Sequence, residues 1–410
     1  MKNILIVLFS MAIILSGCSK LPDENLPTEP VPIALTQEQT KIAESVNDFA
    51  FDAFRLISEN TETASNIVIS PLSISYALSM TLNGASGETR ESILEALRQS
   101  DLSPDQINES YKYLTSTLLT IDKRVNVSVA NSVWTENNFQ VKKSFIDILT
   151  SYYDAESKNF DIEDPLTPGY INKWIEDKTN GLIKETVDKL EDNTVMLLIN
   201  AILFKAKWKS EFEVKNTVNR TFTTADGTVL NVPMMKQTAD FKVYRGKDFT
   251  VAEFPYGQGN FVMDVILPDQ GIQLSSLLPL ITAANLSLWT GQMNETEVIL
   301  SFPRFKNGFK IKLKEILSDM GMEIAFSDFA EFTNITDFPP LKINDVTHQA
   351  FIETNEEGTE AAAATVVEIG LTSMPQSLVF NADRPFVYLI REVTTNTVLF
   401  MGRVSDPSKE

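Results

Sequence analysis

From Thr36 to about residue 407 no Gly/Ser-rich or Pro-rich stretch interrupts the chain, and no segment repeats another. Length by itself suggests two or three domains. A run of about 370 residues without a linker offers no place to make that cut, so one large fold is expected. The material for its core is present, with 43% hydrophobic residues and 25 Phe. A single Cys and a single His exclude an internal disulfide framework, Cys-based zinc sites and two-His metal motifs. The net charge of −20 argues against binding a nucleic-acid backbone, which needs Lys and Arg on the phosphates.

Periodicity places helices early. Ile42, Val46, Phe49, Ala53 and Ile57 recur at spacings of three and four, on one helical face. Ser70-Pro71 opens a second helix running to about Leu82, and Gly84 with Gly87 separates it from a third over Glu88–Leu97. A further helix is expected from Asn172 to Leu182, ending at Asn180-Gly181. Later segments read as strands: Val125–Trp134, Val195–Phe204, Phe261–Leu267, Val298–Phe305, Lys342–Ile352, Val379–Phe380, Phe386–Arg391 and Val398–Met401. The order predicts an α+β fold, not a wound βαβ sheet.

Catalytic patterns are missing. The chain has no G-x-S-x-G elbow, no phosphate-binding loop, no H-E-x-x-H and no strand-borne G-x-G-x-x-G. His348 lies inside an apolar–polar alternation, where a hydrogen-bonded structural role is the expected one. Neither a metal site nor a cofactor is expected.

The N-terminal segment reads as an address. MKNILIVLFSMAIILSGC has one Lys and an apolar run from Ile4 to Leu15, too short for a stable bilayer span. Its ending, Leu15-Ser16-Gly17-Cys18, resembles the bacterial lipobox. That resemblance implies a signal peptide over 1–17, a lipid-modified Cys18 and a membrane-anchored protein of the bacterial cell envelope. Ser19, in place of an Asp, points to the outer membrane, with the domain facing the periplasm or the outside. Acyl chains contribute about 0.8 kcal/mol per buried CH₂. Residues 18–35 carry Pro22, Pro27, Pro30 and Pro32 and read as an extended tether.

Residues 356–371, EEGTEAAAATVVEIGL, fit no simple class. The Ala run suggests a helix. Read at period two, one parity (Thr359, Ala361, Ala363, Thr365, Val367, Ile369) carries no charge, as in a half-buried strand. A segment able to be loop, helix or strand is what a conformational switch needs.

This segment resembles the hinge and reactive-centre loop of the serpins, and the resemblance extends over residues 36–407. NIVISPLSISYALSMTLNGASGETRESI, INKWIEDKTNGLI, INAILFKAKWKSEF, EVILSFPRFK, VTHQAFIETNEEGTEAAAAT and FNADRPFVYLIREVTTNTVLFMGRVSDP resemble that family's signatures, in its order. The resemblance implies one domain with a large central mixed sheet, further sheets, a helical N-terminal part and an exposed loop over about 356–379. It implies an inhibitor of serine proteases, with cross-inhibition of cysteine proteases, and not an enzyme. The protease cuts the loop and forms an acyl-enzyme, and the loop then inserts into the sheet and traps it covalently. About 14 newly paired residues, at roughly 1 kcal/mol net per hydrogen bond, would release on the order of 10 kcal/mol.

By match, Glu356, Glu357, Gly358, Thr359, Glu360, Ala361, Ala362, Ala363 and Ala364 correspond to the hinge. Ser70, Ser73, Asn200 and His348 match the shutter beneath the sheet, and Trp208 the breach where the loop enters. The family's spacing of 17 residues, counted from Glu356, puts the reactive bond at Thr372–Ser373, with Leu371 and Met374 as alternatives for the residue before the cut. Thr there favours elastase-like proteases, Leu or Met chymotrypsin- or cathepsin G-like ones. No Lys or Arg occurs between Ile343 and Asp383, which disfavours trypsin-like targets. The region near Gln106–Lys123, which resembles a heparin-binding helix of some members, has few basic residues, so no heparin activation is expected. A monomer is expected. The alternatives are a non-inhibitory serpin, a carrier or chaperone, and a surface-tethered binding lipoprotein.

Overall fold

A computed structural model describes residues 27–337, 341–359 and 377–409. Helix α1 (Gln37–Asn60) buries Ile42, Val46, Phe49, Ala53 and Ile57, the stripe expected from their spacing. A capping box fixes its start: Gln39 N donates to the Thr36 hydroxyl, and Thr36 N to the Gln39 side chain. After strand β1 (Ile67–Ile69) comes α2 (Pro71–Gly84), capped by Ser70 and buried on nearly every side, as a helix in the middle of a core must be. Helices α3 (Gly87–Ala96) and α4 (Pro104–Leu118) follow. Strand β2 (Val125–Glu136), helix α5 (Lys143–Tyr153), strand β3 (Ala155–Phe160) and helix α6 (Thr167–Lys178) come next.

The rest is mostly strand. In order these are β4 (Met196–Lys207), β5 (Val218–Thr223), β6 (Val229–Arg245), β7 (Phe249–Pro255) and β8 (Phe261–Pro268). Helix α7 (Ala283–Gly291) precedes β9 (Asn294–Pro303) and β10 (Phe305–Lys312). The chain closes with β11 (Thr347–Thr354), β12 (Gly358–Thr359), β13 (Leu378–Asn381), β14 (Phe386–Glu392) and β15 (Val398–Val404). One sheet runs β1-β15-β14-β8-β7-β6-β9-β13 with β5 added beside β6; the other runs β10-β11-β12-β4-β2-β3. Both are mixed, since β13 pairs β9 and β2 pairs β3 in parallel while the other pairs are antiparallel. Helix α2 packs against β4 of one sheet and β15 of the other. Helix α6 covers the outer face of the six-stranded sheet through a separate small core of Trp134, Phe160, Ile171, Trp174, Ile175, Ile183 and Ala201.

Three sequence expectations need correction. The helix expected over Asn172–Leu182 is Thr167–Lys178: Pro168 sits in its first turn, and Asn180 and Gly181 lie beyond its end with φ of 52° and 83°. The strand expected over Val298–Phe305 is two strands. Pro303 lacks the N–H that would continue the ladder, and after Arg304 the chain crosses into the other sheet. Of Lys342–Ile352, only the part from Thr347 onward is strand, with His348, Ala350, Ile352 and Thr354 facing inward.

The nine-stranded sheet buries a charge cluster. Arg391 on β14 donates to Asp264 on β8 and Glu253 on β7, at 2.6 Å each, and to the Asn396 side-chain oxygen at 3.1 Å. All three charged side chains are at most 8% exposed. Removing the cation strands two carboxylates in the core. Arg391→Leu is expected to lower unfolding stability by about 3–5 kcal/mol. Lys242→Ala, which removes only the exposed partner of Glu253, should cost about 1 kcal/mol or less. Denaturant midpoints of the two variants check the contrast.

Candidate functional site

Strands β4 and β11 do not share a ladder among the described residues. Each pairs instead with the two residues between them: Gly358 lies opposite Lys207, and Thr359 lies opposite Ala206 on one side and Thr354 on the other. Because β12 is antiparallel to both, β4 and β11 run parallel to each other. A turn feeds this short strand, with Asn355 N donating to Gly358 O at 2.9 Å and Glu357 N to the Asn355 side-chain oxygen at 3.0 Å. Gly358 has a φ of 148°, and a Cβ there would lie 2.0 Å from Ala206 O, so no other residue fits this approach. Thr359 is 2% exposed and shares a 2.9 Å hydrogen bond with the Tyr256 hydroxyl.

Trp208 holds the turn from the other side. Its backbone N donates to Glu357 O at 2.8 Å and its indole N to Asn355 O at 2.9 Å, while the ring stacks on Tyr256 with centroids 4.3 Å apart. Phe212 N donates to Glu356 O at 2.8 Å. The Glu356 carboxylate is buried and accepts from Arg304 Nε at 2.8 Å and also from Arg304 Nη2 and the Thr217 hydroxyl. Burial alone would raise its pKa, but the bonds from Arg304 and Thr217 outweigh it and hold the carboxyl below its ordinary range. Arg304 is the residue at which the chain crosses between the sheets. Tyr256, Arg304 and Thr217 were not singled out in the sequence. Arg304 lies in the EVILSFPRFK signature, and Tyr256 opens the turn Tyr256-Gly257-Gln258-Gly259-Asn260. Burial pushes the Tyr256 phenol well up, so it stays a neutral hydrogen-bonding group.

Six residues further along β4 and β11, at Asn200 and His348, the residues matched to the shutter come together. Ser70 N donates to His348 Nε2 at 3.0 Å, and the Ser70 hydroxyl donates to Leu399 O at 2.7 Å. Ser73 N donates to the Ser70 hydroxyl at 3.3 Å, and the Ser73 hydroxyl to the Asn200 side-chain oxygen. The row continues through residues the sequence did not suggest: Asn200 donates to Asn131 and Asn131 to Tyr153 O, at 2.6 Å each. These bonds tie α2 to β11, β15, β4 and β2. Glu360, Ala361, Ala362, Ala363, Ala364, Leu371, Thr372, Ser373, Met374 and Cys18 lie outside the described residues.

His348 has to be neutral to accept from Ser70 N, and burial pushes its pKa down from 6.5 to about 4. A depressed pKa means that the unfolded chain takes up the proton first. The stabilisation is therefore whole above pH 6.5 and is lost as pH falls through about 4, by about 3 kcal/mol. The wild-type protein should lose about that much more stability than His348→Gln between pH 7 and pH 4, measured by denaturant unfolding at both values.

Comparison with known proteins agrees with this geometry. The family model described as serpin (serine protease inhibitor) matches residues 44–407. An uncharacterized serpin-like protein of Thermococcus kodakarensis is 32% identical over 93% of this chain and 89% of its own length. Neuroserpin of Gallus gallus is 35% identical over 83% of this chain and 86% of its own. The solved structure of human thyroxine-binding globulin in complex with thyroxine superposes with a TM-score of 0.84 at 28% identity, covering 91% of this chain and all of that one. The chain belongs to the serpin family.

Proposed function

We propose that this serpin is a suicide inhibitor of serine proteases with elastase-like or chymotrypsin-like specificity, held in the bacterial envelope by a lipid on Cys18. The observation that carries the reading is the gap between β4 and β11, already started by Gly358 and Thr359. Continued in the same register, residues 360–366 would fall opposite Glu353 to Thr347 on one side and Lys205 to Ile199 on the other. Ala361, Ala363 and Thr365 would then share the inward face of Thr359. Small uncharged residues suit a slot that has to close quickly.

The mechanism follows from timing. A protease that cuts at Thr372–Ser373 is joined to Thr372 as an ester until water attacks. Cleavage frees the loop from β13, and the hinge, already two residues into the sheet, continues along β4 and β11. Each added residue gains ladder bonds, at roughly 1 kcal/mol net apiece. The bound protease is carried along with its acyl-enzyme unhydrolysed. Cysteine proteases form a thioester at the same step and are open to the same trap. The charge of α4, one basic residue (Lys112) against the acidic Asp105 and Glu109, favours action without a glycosaminoglycan.

A non-inhibitory carrier role is the second reading, since human thyroxine-binding globulin, solved with thyroxine bound, has a similar structure. Gly358 and Thr359, small residues seated in the slot, favour the inhibitor.

Incubated with a neutrophil- or pancreatic-type elastase, the protein is expected to give a covalent band near the summed masses on a denaturing gel. Clean cleavage with full residual protease activity would sink the reading. Thr359→Arg puts a charge where a buried hydroxyl meets Tyr256, and should convert the inhibitor into a substrate, with complex yield falling at least tenfold. Unchanged yield from that variant refutes insertion through the hinge.

A further inference from the structure

Residues 29–34, just before α1, are bonded to the body of the domain at one place after another. Val31 N donates to Asn260 Oδ1 at 2.8 Å, and Asn260 Nδ2 donates to Val31 O at 2.9 Å, so one side chain pairs with this residue as a strand would. Ile33 N donates to the Thr394 hydroxyl at 3.2 Å, and the Tyr113 hydroxyl on α4 donates to Ala34 O at 3.0 Å. Pro30 lies against Gly259, and Glu29 approaches Lys209 at 3.9 Å.

Asn260 is fully buried and has two donors and two acceptor positions. The other two bonds join it to Gln258 Nε2 at 2.9 Å and to Glu392 Oε1 at 3.0 Å. Half of its bonding is supplied by Val31. Gln258 is anchored in turn by the segment after α4, donating from its backbone to Asp122 and from its side chain to Ile121 O. The same turn meets the hinge on its other side. Gly257 N donates to Lys207 O and Lys209 N to Pro255 O, bracketing Trp208, and Tyr256 both stacks on Trp208 and bonds Thr359. Turn 256–260 is thus clasped by residues 29–34 on one side and by Thr359, the second inserted residue, on the other.

We propose that residues 29–34 are a strap that controls how readily the hinge enters the sheet. With the strap seated, Asn260 is saturated and the turn holds Tyr256 rigidly against Thr359. With the strap released, Asn260 must find new partners, the turn loosens, and Thr359 moves in or out more freely. Thr359 in or out of the sheet is the two-state element that the strap biases. The inference takes its meaning from the inhibitor reading, but its test needs no protease.

The test uses the full chain and variants that leave the core alone. Val31→Pro removes the N–H given to Asn260, and Tyr113→Phe removes the bond to Ala34. Hydrogen exchange is followed by mass spectrometry over residues 29–34 and 353–359, with the rate of spontaneous conversion to a heat-resistant inserted form. Both variants should speed exchange at least fivefold in the strap and in the hinge, and speed conversion at least threefold. In a Tyr256→Phe background, which cuts the link to Thr359, they should no longer change hinge exchange. A strap that opens while the hinge stays within twofold of wild type overturns the proposal, as does no change in either segment. Absence of a covalent protease complex would overturn the inhibitor reading and leave these rates as they are.

Discussion

Everything at the working end of this protein depends on two residues of backbone. Gly358 and Thr359 pair with β4 and β11 and keep two parallel strands a strand's width apart. Side chains on every side are arranged around that wedge. The Gly358 Cα lies too close to Ala206 for any Cβ, Thr359 has Tyr256, and Trp208 and Arg304 grip the turn that leads in. A buried carboxylate such as Glu356 is tolerable only because a guanidinium and a hydroxyl both reach it. Its pairing therefore fixes where the turn begins.

The polar row under the sheet solves a different problem. A core helix, α2, has to be joined to strands of both sheets, and hydrophobic packing has little directional preference. Ser70, Ser73, Asn131, Asn200 and His348 give that joint a fixed geometry, each bond made to a specific atom of another element. Such a joint is rigid while complete and has few intermediate positions. Under the inhibitor reading, that suits a sheet that changes between two arrangements better than one that slides.

Much of this was legible in the sequence because it rests on local rules. The stripe on α1 and Ser70-Pro71 at the start of α2 are each set within a few residues of chain. The missed features have distant causes. Nothing near Asn260 announces that Val31 lies on it, and Arg304 reads as the end of a strand until the change of sheet brings it to Glu356. The Asn172–Leu182 helix failed for a local reason, since Pro168 starts a helix as effectively as Asn180-Gly181 follows one. The single His drew attention by its rarity, yet its partner is a backbone N–H that no composition could reveal.

The separate small core beneath α6 also decides where this molecule would part. Trp134, Phe160 and Ala201 belong to β2, β3 and β4, all on one side of the gap, so α6 is mounted on that half of the sheet. The segment that follows α6 reaches over to the other half: Thr186 shares a side-chain hydrogen bond of 3.0 Å with Gln349 on β11, and Lys310 on β10 holds Asp188 at 3.0 Å. A new strand would push the halves apart by about 5 Å. The helix would travel with its half as cargo, and the load on this face would fall on those ties, on Lys310 to Glu185 O at 3.1 Å, on Asn344 to Asn193 at 3.2 Å and on Phe351 of β11, which packs against the small core. On this face the halves are joined mainly by polar side chains, whereas on the inner face Phe204 and Ala206 of β4 share the main core with Ala350 and Ile352 of β11.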